Sequence, residues 1–544
     1  MPSFDDAINR LTTMVPAQMR ADATPGLALA VTDRERLLHT APFGHADIAA
    51  QAPITPETLF EIGSIGKSFA AIVVLQLQEE GRLDVTASVT DYIPWFQIRS
   101  SFEPITLHHL LSHTAGITCG VDFSPEAIYQ IWSLRETDAT APPGTFFHYS
   151  NLGYKILGHV VERVTGERFP DVVQTRIFDP LGMTSAVPEV THALRPRLAV
   201  GYAPLFDDRP WLPRHPLVPA NWLEAETADG SLVMTAADLA TYLRMLLNRG
   251  AYPGGRLLSP RSFDLLTQRA IEVARDPEPA YYGYGLGSFD VGGHAYLGHG
   301  GGMVGYFAGM VGDLETGLGA VVLVNGPGSP NLLARNIVDL FRAVASGTEP
   351  PDLPSSGTDD TVEHAGDFAG TYRSPDQTLT VRAADGRLSL EHEGADLPLV
   401  PYGTDAFVAD HPAFDGYALV FGRSDDHVVE LFHGAGWLVN ERYDGPTTFD
   451  FPPGWHAFPG RYRSHNPWLP MFVVVLRKGE LWQIMPTGAD GFAAEQPLVP
   501  LPDGSFRVGR DERGPERLRF DTIVDGLAVR ANLSGGDYYR VGSA

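Results

Sequence analysis

The stretch Ser64-Ile65-Gly66-Lys67-Ser68-Phe69-Ala70-Ala71-Ile72-Val73-Val74-Leu75-Gln76-Leu77 places a hydroxyl three residues ahead of an amine at the head of an apolar run. Phe69, Ile72, Val73 and Leu77 fall at i, i+3, i+4 and i+8, a spacing that predicts an amphipathic helix ending near Gly81. Ser64 then belongs to its first turn, and Lys67 stands one turn later on the same face. Lysine is scarce here: of 40 lysine and arginine residues in 544, three are lysine and 37 arginine. Arginine cannot release its proton inside a protein, whereas a desolvated lysine can. A serine beside such a lysine is a candidate nucleophile next to its base. In an arginine-biased chain the motif alone is also compatible with coincidence, so its company decides.

A serine hydroxyl at neutral pH needs a base, donors for the oxyanion and an acid for the leaving group. The start of a helix offers free N–H groups to the oxyanion. Ser–His–Asp hydrolases usually carry G-x-S-x-G, and no such segment surrounds Ser64. Tyr149-Ser150-Asn151 stands where a second helix begins. Tyr149 is a phenol that a lysine ammonium would draw toward phenolate, and the Asn151 amide donates and accepts at once. The third element is Leu297-Gly298-His299-Gly300-Gly301-Gly302, between strand-like runs at 291–297 and 306–312. Glycine at this density lets a substrate lie against a strand edge, and the Gly302 N–H would face that of Ser64 as a second oxyanion donor. Gly300–Gly305 also fits G-x-G-x-x-G, but a strand follows it and no βαβ unit surrounds it, so a dinucleotide is not expected.

In this order, S-x-x-K, Y-x-N some 80 residues on and H-x-G near the end of the domain resemble the serine β-lactamase and penicillin-binding-protein superfamily, in its class C and D-aminopeptidase/esterase branch. The resemblance spans roughly residues 5–345 and includes Leu110-Leu-Ser-His-Thr-Ala-Gly-Ile117 and Ala228-Asp-Gly-Ser-Leu-Val233. It implies an α+β catalytic domain, an antiparallel sheet with a helical cluster. It also implies roles: Ser64 as acylated nucleophile, Lys67 with Tyr149 as base system, and Tyr149 as proton donor to the leaving group and later activator of the deacylating nucleophile. Asn151 would hold Lys67 and the substrate's amide carbonyl. The Ser64 and Gly302 N–H groups would form the oxyanion hole, with His299, Gly300 and Gly301 along the substrate. Members of the superfamily usually carry K-T-G where this chain has His299, a side chain mostly neutral near pH 7. That departure turns the expectation from β-lactams and free carboxylates toward neutral or amino-terminal substrates.

The remaining chain supplies organisation. Its length exceeds one core, so several domains are expected. Residues 1–345 mix helical and strand patterns, 346–361 have linker composition, and beyond them short β-rich runs alternate with turns. Phe368-Ala-Gly-Thr-Tyr-Arg-Ser374 recurs as Phe458-Pro-Gly-Arg-Tyr-Arg-Ser464, each followed by a glycine turn, a Pro-Leu-Val-Pro and an aromatic strand. The repeat predicts two small antiparallel β-barrel modules at 362–450 and 453–544, serving as a ligand-binding cover, a scaffold or a homodimer contact. Two β modules after such a catalytic domain resemble the three-domain plan of D-aminopeptidases.

A net charge of −26 argues against a duplex nucleic acid or anionic lipid as partner. With no signal-peptide pattern, no apolar run of 18 residues and one cysteine, a cytoplasmic location is the default expectation. Cys119 reads as a buried small residue. No cofactor and no metal are expected: His109 and His113 have i, i+4 spacing, but His108 and its neighbours lack an acidic third ligand. Glu224, Glu226 and Asp229 read as a solvated loop or an ammonium site, and Lys155 as a surface lysine. Tyr281, Tyr282 and Tyr284 either wall an apolar pocket, with Tyr284 as a substrate-binding candidate, or fill core. The expected activity is acyl-enzyme hydrolysis of amide or ester bonds in small molecules or short peptides. One alternative is transfer to an amine, as an acyltransferase or peptide cyclase. Another is a binding protein with an idle Ser–Lys site.

Overall fold

The computed structural model describes residues 4–120, 126–274, 279–350, 360–486 and 494–543. Most of the linker expected at 346–361 lies outside them; its first residue, Ser346, ends a helix that closes on a left-handed Gly347. The chain divides into two compact units, and residues 204–216 belong to the second although the sequence on both sides belongs to the first.

The first unit is built on an antiparallel sheet of nine strands among the described residues, in which Gly319–Val324 lies between Tyr306–Asp313 and Gly26–Thr32. Both Gly26–Thr32 and Gly319–Val324 are buried along their whole length, as strands covered on two faces must be. Their side chains divide by the two-residue period of a strand. Leu27, Leu29, Val31, Ala320, Val322 and Val324 meet the helices Asp5–Ala21 and Pro330–Ser346 on one face. Ala28, Ala30, Val321 and Leu323 meet a larger helical cluster on the other. That cluster contains Gly66–Glu79, apolar on nearly every side and buried accordingly, and Asn151–Thr165. The α+β architecture expected from the sequence is the one observed.

The second unit contains two closed eight-stranded antiparallel barrels, Gly370–Val439 and Gly460–Gly542, each running up and down in chain order. Their shared signature has a physical role. Tyr372 and Tyr462 are fully buried, and each hydroxyl donates to the carbonyl four residues earlier, Phe368 O at 2.8 Å and Phe458 O at 2.7 Å. The phenylalanine and tyrosine therefore pin the entry of the first strand into the barrel core. Residues 204–216 pack here: Leu212 fills a cluster with Tyr402, Val408 and Ala418, and Arg463 makes a two-pronged bond to Asp207 at 2.6 and 2.7 Å. The two barrels touch each other through Arg477 and Lys478, whose cations lie over the Phe432 ring. Among the described residues no helix is long and apolar enough to cross a membrane. Cys119 is half-buried, more open than its small size suggested.

Candidate active site

The nucleophile segment differs from the sequence expectation in one detail. Ser64 lies in a 3₁₀ turn, Gly63–Ile65, and the α-helix starts after it at Gly66. The hydroxyl and the amine still share a face: Lys67 Nζ donates to Ser64 Oγ at 2.9 Å. Lys67 is fully buried, and its second partner is the carbonyl of Asp229 at 2.8 Å. That carbonyl is held in place because Ile62 N donates to Leu232 O and the short strands Phe60–Glu61 and Val233–Met234 pair.

Glycines allow the approach of the triple-glycine edge. His299–Gly302, which the sequence places between two strand-like runs, forms the second half of the strand His294–Met303. The neighbouring strand Gly287–Val291 pairs only with 294–298, so residues 299–303 extend past it with one open edge. A Cβ on Gly301 would fall 1.8 Å from Ile62 O, and one on Gly63 (φ +52°) would fall 2.5 Å from Gly302 N. The Ser64 turn and the Gly302 edge are thus in backbone-to-backbone contact, which brings together the two N–H groups expected to hold an oxyanion.

Tyr149 precedes the helix Asn151–Thr165, whose N-cap Ser150 accepts from Gly153 N at 3.1 Å. Its ring centroid is 5.0 Å from Lys67 Nζ, and that of buried Tyr154 is 5.7 Å away. Asn151 was expected to hold Lys67, but the amine spends its described bonds on Ser64 and Asp229. Asn151 Oδ1 is buried without a hydrogen-bond partner among the described residues.

His299 donates no charge to the site. Burial first, then the Lys67 ammonium, pushes its imidazole down to about 4, so it is neutral at pH 7. Its Nε2 meets the Tyr282 hydroxyl at 2.9 Å, and its Nδ1 contacts the Gly300 carbonyl. The carbonyl can only accept, so the assigned tautomer carries its proton on Nδ1 and accepts from the Tyr282 phenol.

The structure corrects the choice among the tyrosines. Tyr284 is 2% exposed and bonds to His108 Nδ1 at 2.6 Å, so it fills core and offers no surface to a substrate. The chain leaves its strand at Tyr282 and turns at Gly285 (φ +67°), which rotates Tyr284 away from the cleft. Tyr282 is the ring that faces His299, His113 and Tyr149. Two other assignments change. Lys155 is a buried lysine near Asp229, not a surface one. Of the acidic loop, Glu226 pairs with Arg168, Glu224 lies on the surface and Asp229 is largely buried.

One contributor was weighed from sequence only as a metal ligand. His113, buried and at φ +55°, accepts Ser150 N on its Nδ1 at 3.0 Å, and its carbonyl accepts His148 N at 2.8 Å. It thereby grips the chain on both sides of Tyr149, while its ring packs 4.2 Å from the tyrosine's. Burial, with Lys67 next, lowers its proton affinity far below the usual range and keeps it an acceptor. The segment around it, Leu110–Ile117, was the only signal.

A family model described as "Beta-lactamase" matches residues 11–343. Penicillin-binding protein 4 of Amycolatopsis lactamdurans is 28% identical over 363 residues, covering 64% of this chain and 93% of that protein. An unguisins hydrolase of Aspergillus violaceofuscus is 30% identical over 252 residues, so the match spans 41% of this chain and 42% of the hydrolase. Among solved structures, the octameric penicillin-binding protein homologue from Pyrococcus abyssi superposes with a TM-score of 0.59 at 25% identity, over 80% of this chain and all of that one.

Proposed function

The chain belongs to the beta-lactamase family, a fold family of serine hydrolases, and from that premise we propose that it cleaves amide or ester bonds of small molecules or short peptides through an acyl-enzyme on Ser64. The observation that carries the reading is the 2.9 Å contact between Ser64 Oγ and a buried Lys67 whose described hydrogen-bond partners are a hydroxyl and a carbonyl. Among the described residues no carboxylate bonds the amine directly, so the neutral form can take the Ser64 proton along the existing line. Oγ then attacks the carbonyl carbon of the substrate. The electron pair of the C=O bond moves to oxygen, which the N–H groups of Ser64 and Gly302 stabilise. Collapse expels the amine or alcohol, protonated through Tyr149, and leaves an ester on Ser64. Water, deprotonated by the same pair, releases the acid and restores the serine.

His299 supports the choice of substrate. A side chain neutral at pH 7 offers no fixed charge to a carboxylate at this position. The reading therefore favours aminopeptidase, amidase or esterase substrates over β-lactams. The unguisins hydrolase among the relatives supports hydrolysis as the reaction. The octameric assembly named for the Pyrococcus abyssi homologue supports self-association, for which the barrel modules are the proposed contact.

Two measurements test the proposal. A fluorophosphonate should add one stoichiometric adduct at Ser64, detected by intact mass and peptide mapping. A panel of p-nitrophenyl esters, D- and L-aminoacyl p-nitroanilides and nitrocefin should show turnover of the esters or aminoacyl anilides above that of nitrocefin. An unlabelled Ser64 would mean a binding protein with an idle site, and release of an amide product on adding an amine would favour the acyltransferase.

A further inference from the structure

Two buried lysines flank one residue. Lys67 Nζ donates to the carbonyl of Asp229, and Lys155 Nζ lies 4.0 Å from its carboxylate Oδ2. Lys155 is 6% exposed and also donates to Oε1 of the buried Gln130 at 3.1 Å. It projects from the second turn of the helix that Tyr149 and Asn151 begin. Asp229 Oδ1 is buried with no hydrogen-bond partner among the described residues. The acyl-transfer chemistry uses neither the Lys155 ammonium nor the Asp229 carboxylate, yet burying both is expensive.

We propose that Lys155 is a positioning residue for the base: its pairing with Asp229 fixes the carbonyl that anchors Lys67 and offsets a carboxylate that would otherwise keep Lys67 protonated. The inference rests on the reading of Lys67 as base. The carboxylate belongs to the residue whose carbonyl bonds Lys67, so its charge acts near the amine, and an opposite charge favours an ammonium. A second cation against that carboxylate, Lys155 Nζ at 4.0 Å, offsets the pull. Among the described residues, the other titratable groups facing Lys67 are the imidazoles of His113 and His299, both neutral near pH 7, and the phenols of Tyr149 and Tyr154. Along the Lys155 helix, His159 one turn on engages Glu162 at 3.5 Å. Among the described residues the Lys155–Asp229 pair is the ion pair next to the base.

The test follows the pH dependence of Ser64 labelling by a fluorophosphonate in the full chain. In the wild type the rate falls on the acidic side as Lys67 takes a proton. Lys155→Met should move that limb up by about one pH unit, slowing labelling about tenfold below it. Asp229→Asn should move it down. The double variant should return it toward the wild type, and Lys155→Arg should keep it in place. A Lys155→Met profile lowered by the same factor at every pH, or a double variant no nearer the wild type than the single, would overturn the proposal. If Lys155→Met does not fold, an Asp229→Asn limb that fails to move downward overturns it equally. Failure of the underlying reading looks different: the wild type itself would label without an acidic limb, or Lys67→Arg would label like the wild type.

Discussion

Two pairs of charged residues, one in each unit, are treated in opposite ways. In the first, Glu61 and Lys67 are buried six residues apart and neither has an ion-pair partner within 4 Å among the described residues. In the second, Glu430 and Lys478 are joined at 2.6 Å, the carboxylate also accepting from Trp437 Nε1 at 2.8 Å. Both lysines lie over aromatic rings: Lys67 over Tyr149 and Tyr154, Lys478 over Phe432, Trp437 and Phe449. An aromatic cage therefore does not separate a reactive lysine from a structural one. The carboxylate does. A lysine bonded to a carboxylate helps hold two barrels together, whereas one bonded to a serine hydroxyl is placed for proton transfer.

The largest effect should come from Lys67→Arg. The substitution keeps the positive charge and much of the volume but removes a group able to accept a proton, so turnover should fall by about 10³-fold or more. Steady-state kcat on the best ester or anilide substrate measures it, and near-normal turnover would erase the contrast between the two lysines. Tyr149→Phe should follow with a loss in kcat of about 10²-fold. The ring and its packing on His113 survive that change, so the loss should appear in kcat at nearly constant KM.

How far the sequence revealed this site depends on what spacing can encode. Ser64 and Lys67 are one turn apart, and Tyr149 and Asn151 share a helix start; local rules place them. The repeat Phe-x-Gly-x-Tyr was readable for a similar reason, since its hydrogen bond closes within four residues. Contacts made at long separation were not readable. The Asp229 carbonyl reaches Lys67 across 162 positions, and His113 reaches Ser150 across 37, each through a backbone atom that any residue type carries. Tyr284 misled because alternation beyond Tyr282 presumes a strand that the Gly283–Gly285 turn ends. Lys155 misled because a lysine is ordinarily exposed, and only the fold shows the carboxylate that makes burial tolerable.

Glu61 offers a test on stability. It is 5% exposed, and burial pushes its carboxyl up to about 8. Between the unfolded value of 4.5 and that value, the folded protein holds a proton that the unfolded chain has released. Stability contributed by this group is therefore complete below about pH 4.5 and is lost as pH rises toward 8. The maximum slope is about 1.4 kcal/mol per pH unit, tenfold in the unfolding constant. Glu61→Gln should flatten the slope between pH 5 and 8 in denaturant unfolding of the first unit. A wild-type slope equal to that of the variant would show that the first unit, like the second, compensates its buried acid.

The smallest effect should belong to Lys478→Met, and its form matters more than its size. The side chains of Lys478 and Glu430 are 29% and 12% exposed, so the unpaired Glu430 left behind would keep some access to water and costs less than one stranded in a sealed core. Destabilisation of about 1–2 kcal/mol is expected, with kcat unchanged because the pair takes no part in acyl transfer. Adding Glu430→Gln should recover part of the loss, since the second change removes the charge that the first left unpaired. Coupling of about 1 kcal/mol in that cycle, at constant kcat, would establish the ion pair as a structural bond. A strictly additive cycle would mean that the aromatic cage alone carries Lys478, and the distinction between the two lysines would then rest on Ser64 and not on the missing carboxylate.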